Sequence, residues 1–558
     1  MDIINKLIHE ASHYGSFDQI EKLIEEGSDL SNLPIQPLYA LTTNMSYDAL
    51  ALCLPRFGQE QRQAFLDIDL WNKDHLDIDN FSRWPKIYSM CQDEEIIYEF
   101  VTSEEFLLFL KGRFNVYTFD VEEPIYPDHD NYFLTDDNLL LFEFDEDNEI
   151  ASEVQFLIRN LYGKEGVEHA YTKLFKVVSD TFSVFQEEEY RIKKGRLADY
   201  GLIDYYDSLA IYTPFASISH MDHFIQNIKM STGSIDALSI IQTLPQSCLV
   251  AYREIETDFV QELSKVTSDK RKEFLQFNFL KLVNGSLAFN DSLKTGMVAM
   301  TRVGKETRSL IELGFDYVKY KKNNLLNESL FEYFNFIDLF KIGLTLTKDL
   351  QKAIKKALRG NGFDNDNDVF LGDYWNNYLD NTLNGNITIL GNQQSVLLNK
   401  YLDWKIVREK SKTLVMLLPY IKVFYQNFKV LKDENRLMDS FYYNYKVEDI
   451  DFEAIIISSF ANYMLGAASN QDQPKLGMSL LEFKKWTRLI SHHEGGLNKT
   501  SAVLKDAIKN FQKVYGLFQV YRFNCYFEEI LAHHMDGYDF INLKDADYQF
   551  IGGAIIFA

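Results

Sequence analysis

Cysteine is scarce in this chain. The four cysteines, Cys53, Cys91, Cys248 and Cys525, are spread over 558 residues and form no Cys-x-x-Cys pair. That spacing excludes a zinc framework or a disulfide scaffold built on cysteine, and it is typical of buried thiols in a reducing compartment. The N-terminus lacks the basic start and the apolar run of a signal peptide. We therefore expect a cytoplasmic protein.

Long apolar runs, proline and glycine are scarce as well. The longest uncharged stretches, 237–252 and 454–471, are diluted by polar residues and fall short of a comfortable membrane span. We therefore expect no membrane insertion. With only 10 Pro and 27 Gly, the chain has few turn residues for a many-stranded sandwich, so helices are favoured.

Basic residues are scarce in one part of the chain only. The first 150 residues hold 9 Lys and Arg against 32 Asp and Glu, whereas the remainder is nearly balanced, with 48 against 50. An acidic region repels nucleic acid and concentrates basic protein surfaces near itself. We therefore predict a protein partner, basic in character, at the acidic N-terminal region, and no nucleic-acid partner.

The apolar periodicity predicts a mainly α, multidomain helical array with a small antiparallel β element near residues 114–144. Ser103 precedes a short helix that has acidic residues in its first turn and a basic end, which is the usual polarity of a helix. Residues 131–144 predict strand, turn and strand. Length and composition predict four segments. These are an acidic helical array closed by the β element (1–150), a central helical domain (151–360), an Asn-, Gly- and Asp-rich loop or linker (361–395) and a C-terminal helical domain (396–558).

The most distinctive local sequence lies at residues 187–206, where a run of glutamates leads into Arg-Ile-Lys-Lys-Gly-Arg-Leu-Ala-Asp-Tyr-Gly. This run resembles the signature of a bacterial family, domain of unknown function 6178. Segments 66–71, 211–214, 282–284 and 340–343 are also similar to that family. The resemblance implies membership of the family and no particular activity.

The N-terminal part is similar to a second family in shape. Leu33-Pro34 and Leu54-Pro55 precede short Leu-rich segments, which resemble the cytoplasmic helical superhelix of bacterial magnesium transporters. The regulatory and membrane domains of those transporters have no counterpart in the sequence. The resemblance therefore implies a stacked helical shape and no transport activity.

The signature at 187–206 holds the candidate ligand- or partner-binding residues. They are basic, acidic and aromatic: Arg191, Lys194, Arg196, Asp199, Tyr205 and Tyr206.

Together with Lys193, the basic members form the densest basic island of the chain. We predict that this island docks within the chain, onto the acidic N-terminal region, with binding of an external anion as the alternative. Glu189 and Lys193 are predicted to pair at i,i+4, and Asp199 lies close enough to pair with Arg196. Gly195 and Gly201 are predicted to bracket a short second turn.

The sequence contains no phosphate-binding loop, dinucleotide fingerprint or nucleophile elbow. The histidine doublets at 492–493 and 533–534 each offer one metal ligand at a time, since adjacent helical side chains point about 100° apart. We predict no metal and no cofactor, and whether the two doublets meet is left open.

Two functions remain. The first is a non-enzymatic scaffold that binds a protein partner through stacked helices. The second is an enzyme or ligand sensor with a pocket at the signature. A deep, enclosed cavity into which Arg191 or Arg196 points favours the second function, and pairing of these arginines with carboxylates on the surface favours the first.

Overall fold

The computed structural model describes residues 22–33, 35–146, 148–179, 181–228, 258–322, 328–363, 368–390, 395–434, 450–467, 475, 477–490, 502–536 and 555–556. Within these residues the chain forms two compact units. The first comprises Met1–Phe215 and Asp222–Ile342, and the second comprises Ala216–Met221 and Gly343–Ala558.

Helices dominate the described residues, and the predicted mainly α fold is confirmed. The helices up to residue 227 are α1 (Ile35–Thr42), α2 (Tyr47–Cys53), α3 (Gln59–Leu70), α4 (Ile78–Phe81), α5 (Arg83–Ser89), α6 (Glu94–Val101), α7 (Glu104–Arg113), α8 (Ala151–Glu165), α9 (Val167–Ser179), α10 (Phe182–Asp199), α11 (Tyr205–Tyr212) and α12 (Ile218–Asn227). Those that follow are α13 (Asp258–Ser264), α14 (Asp269–Phe289), α15 (Met297–Lys321), α16 (Phe336–Asn361), α17 (Asp373–Leu383), α18 (Tyr401–Asp433), α19 (Phe452–Met464), α20 (Leu480–Ile490), α21 (Ala502–Val514) and α22 (Phe523–Asp536). In the described part of the chain, every helix is too short or too polar to cross a lipid bilayer.

The strands form three small antiparallel sheets among the described residues. They are β1 (Trp71–Asn72), β2 (His75–Leu76), β3 (Asn115–Thr118), β4 (Tyr132–Leu134), β5 (Leu140–Glu143), β6 (Thr388–Leu390) and β7 (Ser395–Leu397). Strand β5 lies between β3 and β4, with Phe142 opposite both Val116 and Phe133. The predicted β element at 114–144 is therefore confirmed.

Two helix boundaries follow the capping chemistry in the sequence. The Ser103 hydroxyl accepts a hydrogen bond from the Phe106 N–H at 3.2 Å, so Ser103 caps α7 as predicted. The Ser329 hydroxyl accepts a hydrogen bond from the Phe331 N–H and caps a 3₁₀ turn at Leu330–Glu332, and α16 begins after this turn at Phe336.

The core of the first unit is rich in aromatic rings. Tyr88 and Phe100 stack with 4.1 Å between ring centroids, and Trp84 lies beside Tyr88. All three side chains are almost fully buried. The many aromatic residues of the sequence therefore fill the space between short helices that could not be stable alone.

A buried carboxylate organises the polar side of this core. Asp69, at the end of α3, accepts hydrogen bonds from Arg83 Nε and Trp84 Nε1, each at 2.7 Å, and from the Tyr39 hydroxyl. The Asp69 side chain is 1 % exposed. Its charge is thus balanced by Arg83, and the neutral donors Trp84 and Tyr39 satisfy its remaining acceptor sites.

The second unit also encloses a carboxylate. Glu453, in the first turn of α19, accepts the Tyr374 N–H at 2.7 Å and lies 2.8 Å from His534 Nε2. Gly372 adopts φ +87°, and a Cβ atom there would lie 2.6 Å from Glu453 Cγ. Glycine is therefore required beside this buried glutamate. Helix α17, which begins at Asp373, forms within the segment that the composition predicts to be a loop or linker.

Candidate functional site

Helix α10 carries the basic signature and ends at a glycine cap. Gly201 has φ +74°, a left-handed conformation that favours glycine. The Leu202 N–H donates to Leu197 O at 2.9 Å, which closes a Schellman motif. Gly195 lies inside the helix, which runs without a break to Asp199. The predicted second turn between Gly195 and Gly201 is therefore wrong.

Arg196 binds two carboxylates of the acidic N-terminal region. Its Nε and Nη2 donate to the two oxygens of Asp67 at 3.0 and 2.8 Å, and Nη2 also donates to Glu105. Asp67 lies in α3 and Glu105 in α7, and both are almost fully buried. Of the basic residues of the signature, Arg196 is thus paired with the acidic N-terminal region of its own chain, as predicted for the whole basic island, whereas Lys194 pairs with Asp207 outside that region.

Burial and pairing act in opposite directions on this cluster. Burial, followed by the Glu105 carboxylate, raises the pKa of Asp67 above its usual value, and Arg196 opposes that rise. Burial alone would lower the pKa of Arg196, but Asp67 and Glu105 raise it, so the guanidinium stays charged. One arginine thus holds two buried carboxylates, and its loss would leave both unpaired.

Glu189 lies two turns before Arg196 on α10 and faces the same cluster. The residue is 7 % exposed, and its Oε2 has no hydrogen-bond partner among the described residues. Burial first, and then Glu105 and Glu104, raise the pKa of Glu189 to about 7. The predicted i,i+4 ion pair between Glu189 and Lys193 is not formed.

Lys193 is buried beside an aspartate that is already occupied. Asp204 caps α11 by accepting the Tyr206 N–H at 3.1 Å, and it accepts the Tyr190 hydroxyl at 2.9 Å. The Lys193 Nζ atom lies 3.9 Å from Asp204 Oδ1, which is beyond hydrogen-bond distance. Lys193 is 7 % exposed, and its amino group makes no hydrogen bond to any described residue.

The surroundings of Lys193 favour its neutral form. Its Nζ atom lies 4.8 Å from the centroid of the Tyr190 ring and 5.5 Å from that of Trp71. Burial, and to a smaller extent the nearby Lys294 and Lys194, lower the pKa of Lys193 to about 8 against the pull of Asp204. A large fraction of this amine is therefore uncharged just above neutral pH.

A cavity of about 410 Å³ opens beside Lys193 within the first unit. Its volume is in the range of small-molecule sites. Its lining combines lysines, aspartates and aromatic rings. These residues are Lys73, Lys193, Lys194, Lys294, Asp67, Asp204, Asp291, Trp71, Tyr205 and Phe289.

The other three cavity lysines have partners. Lys294 Nζ donates to Trp71 O at 2.8 Å, Lys194 Nζ lies 3.0 Å from Asp207 Oδ2, and Lys73 Nζ lies 4.4 Å from the centroid of the Tyr205 ring. Lys193 therefore differs from its neighbours in combining burial with the lack of a hydrogen bond.

The candidate residues of the sequence are divided by the structure. Lys194 and Tyr205 line the cavity, whereas Arg196 belongs to the buried ion cluster behind it. Arg191 and Asp199 are exposed, and Tyr206 is 46 % exposed. None of these last three lines the cavity. The predicted local pair of Asp199 with Arg196 is wrong, because the arginine is bound by Asp67 and Glu105 instead.

Several cavity residues lie far from the signature in sequence. Asp67 and Trp71 belong to segment 66–71, whose resemblance to the family could have placed them near the signature. Phe289 and Lys294 come from the end of α14 and the turn after it, and no pattern in the sequence connects them to the other lining residues. Asn284 of segment 282–284 supports the site from behind, donating to Gly201 O at 2.5 Å.

Only one of the two histidine doublets lies among the described residues. His533 and His534 lie at the end of α22, whereas the doublet at 492–493 lies outside the described residues. His534 is paired with Glu453. Across the described ranges, no group of three or more His, Cys, Asp and Glu side chains is arranged to hold a metal ion.

The fold and the cavity define a mainly helical protein with a lysine-lined cavity in its first unit. The chain belongs to DUF6178, a protein family of unknown function, whose family model matches residues 24–556. This confirms the family resemblance of the signature. No curated protein and no solved structure matches the chain, so the similarity to the magnesium-transporter superhelix finds no support.

Proposed function

We propose that the cavity beside Lys193 binds a small organic anion that carries a flat apolar group. The observation that carries this proposal is Lys193 itself, a buried amine at the wall of a cavity of about 410 Å³, whose ion pair with Asp204 is too long, at 3.9 Å, for a hydrogen bond. A buried charge without a matched partner costs stability. A ligand carboxylate or phosphate would supply the missing partner.

The charge balance of the lining supports an anion. Asp67 is already neutralised by Arg196, and Asp204 already accepts two hydrogen bonds. Lys194 and Lys294 are paired with Asp207 and Asp77, so Lys73 and Lys193 remain against one further lining carboxylate, Asp291. The acidic N-terminal region would repel an anion, so the lysines of the cavity would be the place where an anion binds.

The aromatic lining supports a flat group. Tyr205 and Phe289 lie nearly parallel, with an interplanar angle of 10° and 6.3 Å between ring centroids. Trp71 lies on the Lys193 side of the cavity. Rings of this kind bind planar apolar groups by stacking and edge contacts.

A matched pair of ligands tests the proposal. We expect phenyllactate, which joins a ring to a carboxylate, to bind the full-length protein in calorimetry, and its uncharged methyl ester to bind weakly. Lys194→Met should weaken phenyllactate binding by about fivefold, the effect of one partly exposed charge pair. Lys272→Met is the control, because Lys272 lies on α14 roughly 22 Å of helix away from the cavity. Equal binding of the acid and the ester contradicts the proposal, and so does the lack of binding by either ligand.

A protein-interaction function is the second candidate, and the connection between β3 and β4 favours it. This loop, residues 119–131, exposes five carboxylates together with apolar side chains: Ile125 is 85 % exposed and Val121 58 %. Tyr126 anchors the loop against Phe119, with 5.1 Å between ring centroids. An ordered loop of this composition suits a basic partner with an apolar patch.

Co-purification from native cells at two salt concentrations tests this second candidate. We expect specific proteins to co-purify with the wild-type chain at low salt and fewer of them at physiological salt. The triple variant Glu122→Gln, Glu123→Gln and Ile125→Ser should lose the same proteins. Glu187→Gln with Glu188→Gln is the matched control on the exposed face of α10. Partners that persist in the loop variant would rule out this surface.

We also propose the cytoplasm as the location. The described cysteines Cys53, Cys91 and Cys525 are free thiols, which supports a reducing compartment. Alkylation of intact cells followed by mass spectrometry would test this, with disulfide-linked cysteines in the native protein as the contrary result.

A further inference from the structure

We propose that Lys193 is a nucleophile that forms an imine with the carbonyl group of an anionic ligand, an oxo acid, in the cavity. This inference rests on the anion-binding function proposed above and adds the chemical class of the ligand. It follows from the position of the amino group, which borders the cavity and is held by no hydrogen bond.

The geometry meets two requirements of an imine-forming lysine. Such an amine must be uncharged, and burial beside other cations achieves this. Trp71 and Tyr190 flank Lys193 with their rings, and Lys194 and Lys294 are the neighbouring cations. The shift in pKa leaves on the order of a hundredfold more neutral amine near pH 7.5 than an ordinary exposed lysine has.

The amine must also have space for an electrophile. Asp204 is the nearest carboxylate, but its oxygens are engaged by the Tyr190 hydroxyl and the Tyr206 N–H. In a 2-oxo acid the carboxylate is bonded to the carbonyl carbon, so both groups would lie beside Lys193, with Lys194 and Lys73 as further cations of the lining. The carbonyl carbon would then lie within reach of Lys193, and the other lining lysines would supply positive charge around the carboxylate.

The proposed step balances without a co-reactant. The nitrogen lone pair of neutral Lys193 attacks the carbonyl carbon, and a proton moves from nitrogen to oxygen to give a carbinolamine. The C–O bond then breaks, the second amine proton leaves with the hydroxyl group as water, and a C=N bond forms. The products are one imine and one water molecule.

Reductive trapping tests this step. The full-length protein is incubated with phenylpyruvate and sodium cyanoborohydride near pH 7.5, digested, and analysed by peptide mass spectrometry. We expect an adduct with the mass of the ligand less one oxygen atom, at least about tenfold more abundant at Lys193 than at the exposed Lys272, as the difference in neutral amine requires. Lys193→Arg removes the primary amine and should abolish the adduct, whereas Lys272→Arg, the matched control at an exposed lysine, should leave it unchanged.

The outcomes separate this inference from the proposed function. If phenyllactate and phenylpyruvate both bind but Lys193 gives no adduct, the imine is overturned and the anion site stands. If neither ligand binds and no adduct forms, both proposals fall. Adducts spread evenly over surface lysines would also overturn the imine, because they would show ordinary lysine reactivity.

Discussion

Arg196 and Lys193 lie one turn apart on the same helix, yet their surroundings differ in kind. Arg196 donates hydrogen bonds to two buried carboxylates, Asp67 and Glu105. Lys193 is also buried, but its nearest carboxylate is 3.9 Å away and already accepts other hydrogen bonds. One region of the basic signature is therefore closed by its own chain, and the other borders the cavity.

The two positions illustrate two roles of a charged side chain: Arg196 stabilises the fold, and Lys193 is proposed to bind a ligand. Arg196, hydrogen-bonded to two buried carboxylates, stabilises a particular arrangement of helices, here the packing of α10 against α3 and α7. Lys193, a buried cation that makes no hydrogen bond to its nearest carboxylate, destabilises the fold, so a sequence selected only for stability would favour an apolar residue there. The contrast predicts opposite effects of substitution at the two positions.

Arg196→Met should produce the largest effect. It leaves Asp67 and Glu105 buried without a cation, which costs about 3–4 kcal/mol of the free energy of unfolding at pH 7. The loss should shrink as the pH falls, because protonation of the two carboxyls removes the unpaired charge. Urea unfolding at several pH values measures this. Arg191→Ala is the control and should change stability by less than about 0.5 kcal/mol, because Arg191 is exposed.

An effect of Arg196→Met no larger than that of Arg191→Ala would show that the Arg196 cluster does not hold the first unit together.

Lys193→Met should act in the opposite direction and stabilise the protein. The pKa of Lys193 is lowered from 10.5 to about 8 in the folded state. Its charge therefore costs stability below pH 8, and this cost disappears as the pH rises from about 8 to 10.5. Methionine, which packs well against Trp71 and Tyr190, should gain about 1–3 kcal/mol at pH 7. Urea unfolding at pH 7 and at higher pH measures the gain.

A Lys193→Met variant less stable than the wild type at pH 7 would mean that Lys193 is a structural residue like Arg196, and the distinction between the two regions would be lost.

Much of the secondary structure around these two positions could be predicted from the sequence, because it depends on local patterns. The cap at Ser103, the β element and the pairing of Arg196 with the acidic region follow from nearest neighbours and from net charge. The identity of the arginine's partners does not. Asp199 was the expected partner because it is close in sequence, but a buried bidentate carboxylate binds a guanidinium better than an exposed one.

The cavity could be predicted only in part. Lys194 and Tyr205 lie within the signature, and Trp71 lies within a second segment similar to the family. Phe289 and Lys294 reach the cavity through the packing of α14 against α11, and tertiary packing of this kind leaves no periodic signal in the chain. Burial of Lys193 was also invisible, since a run of basic residues on a helix is more often solvated.

Glu189→Gln changes a residue that faces the Arg196 cluster from the same helix, and it should have a smaller effect on stability. The pKa of Glu189 is raised from 4.5 to about 7, so the folded state binds the proton more tightly. The wild type should therefore lose stability as the pH rises from about 4.5 to 7. Glutamine removes that loss and should be about 1–2 kcal/mol more stable than the wild type at pH 8, with no difference near pH 4.5. Parallel stability curves across this range would contradict the assignment.

Gly201→Ala should have the smallest effect, and it acts on the connection between the two regions. Gly201 ends α10 in the left-handed conformation, φ +74°, and the chain from there places Asp204 beside Lys193. A Cβ atom in this conformation costs about 1 kcal/mol, and asparagine tolerates it better than alanine. We therefore expect Gly201→Asn to lose less stability than Gly201→Ala in urea unfolding. The Arg196 cluster lies before the cap, so its ion pairs should be unaffected. Phenyllactate binding should therefore weaken by more than the loss in stability explains. Equal losses of stability in Gly201→Ala and Gly201→Asn would show that the left-handed cap does not set this connection.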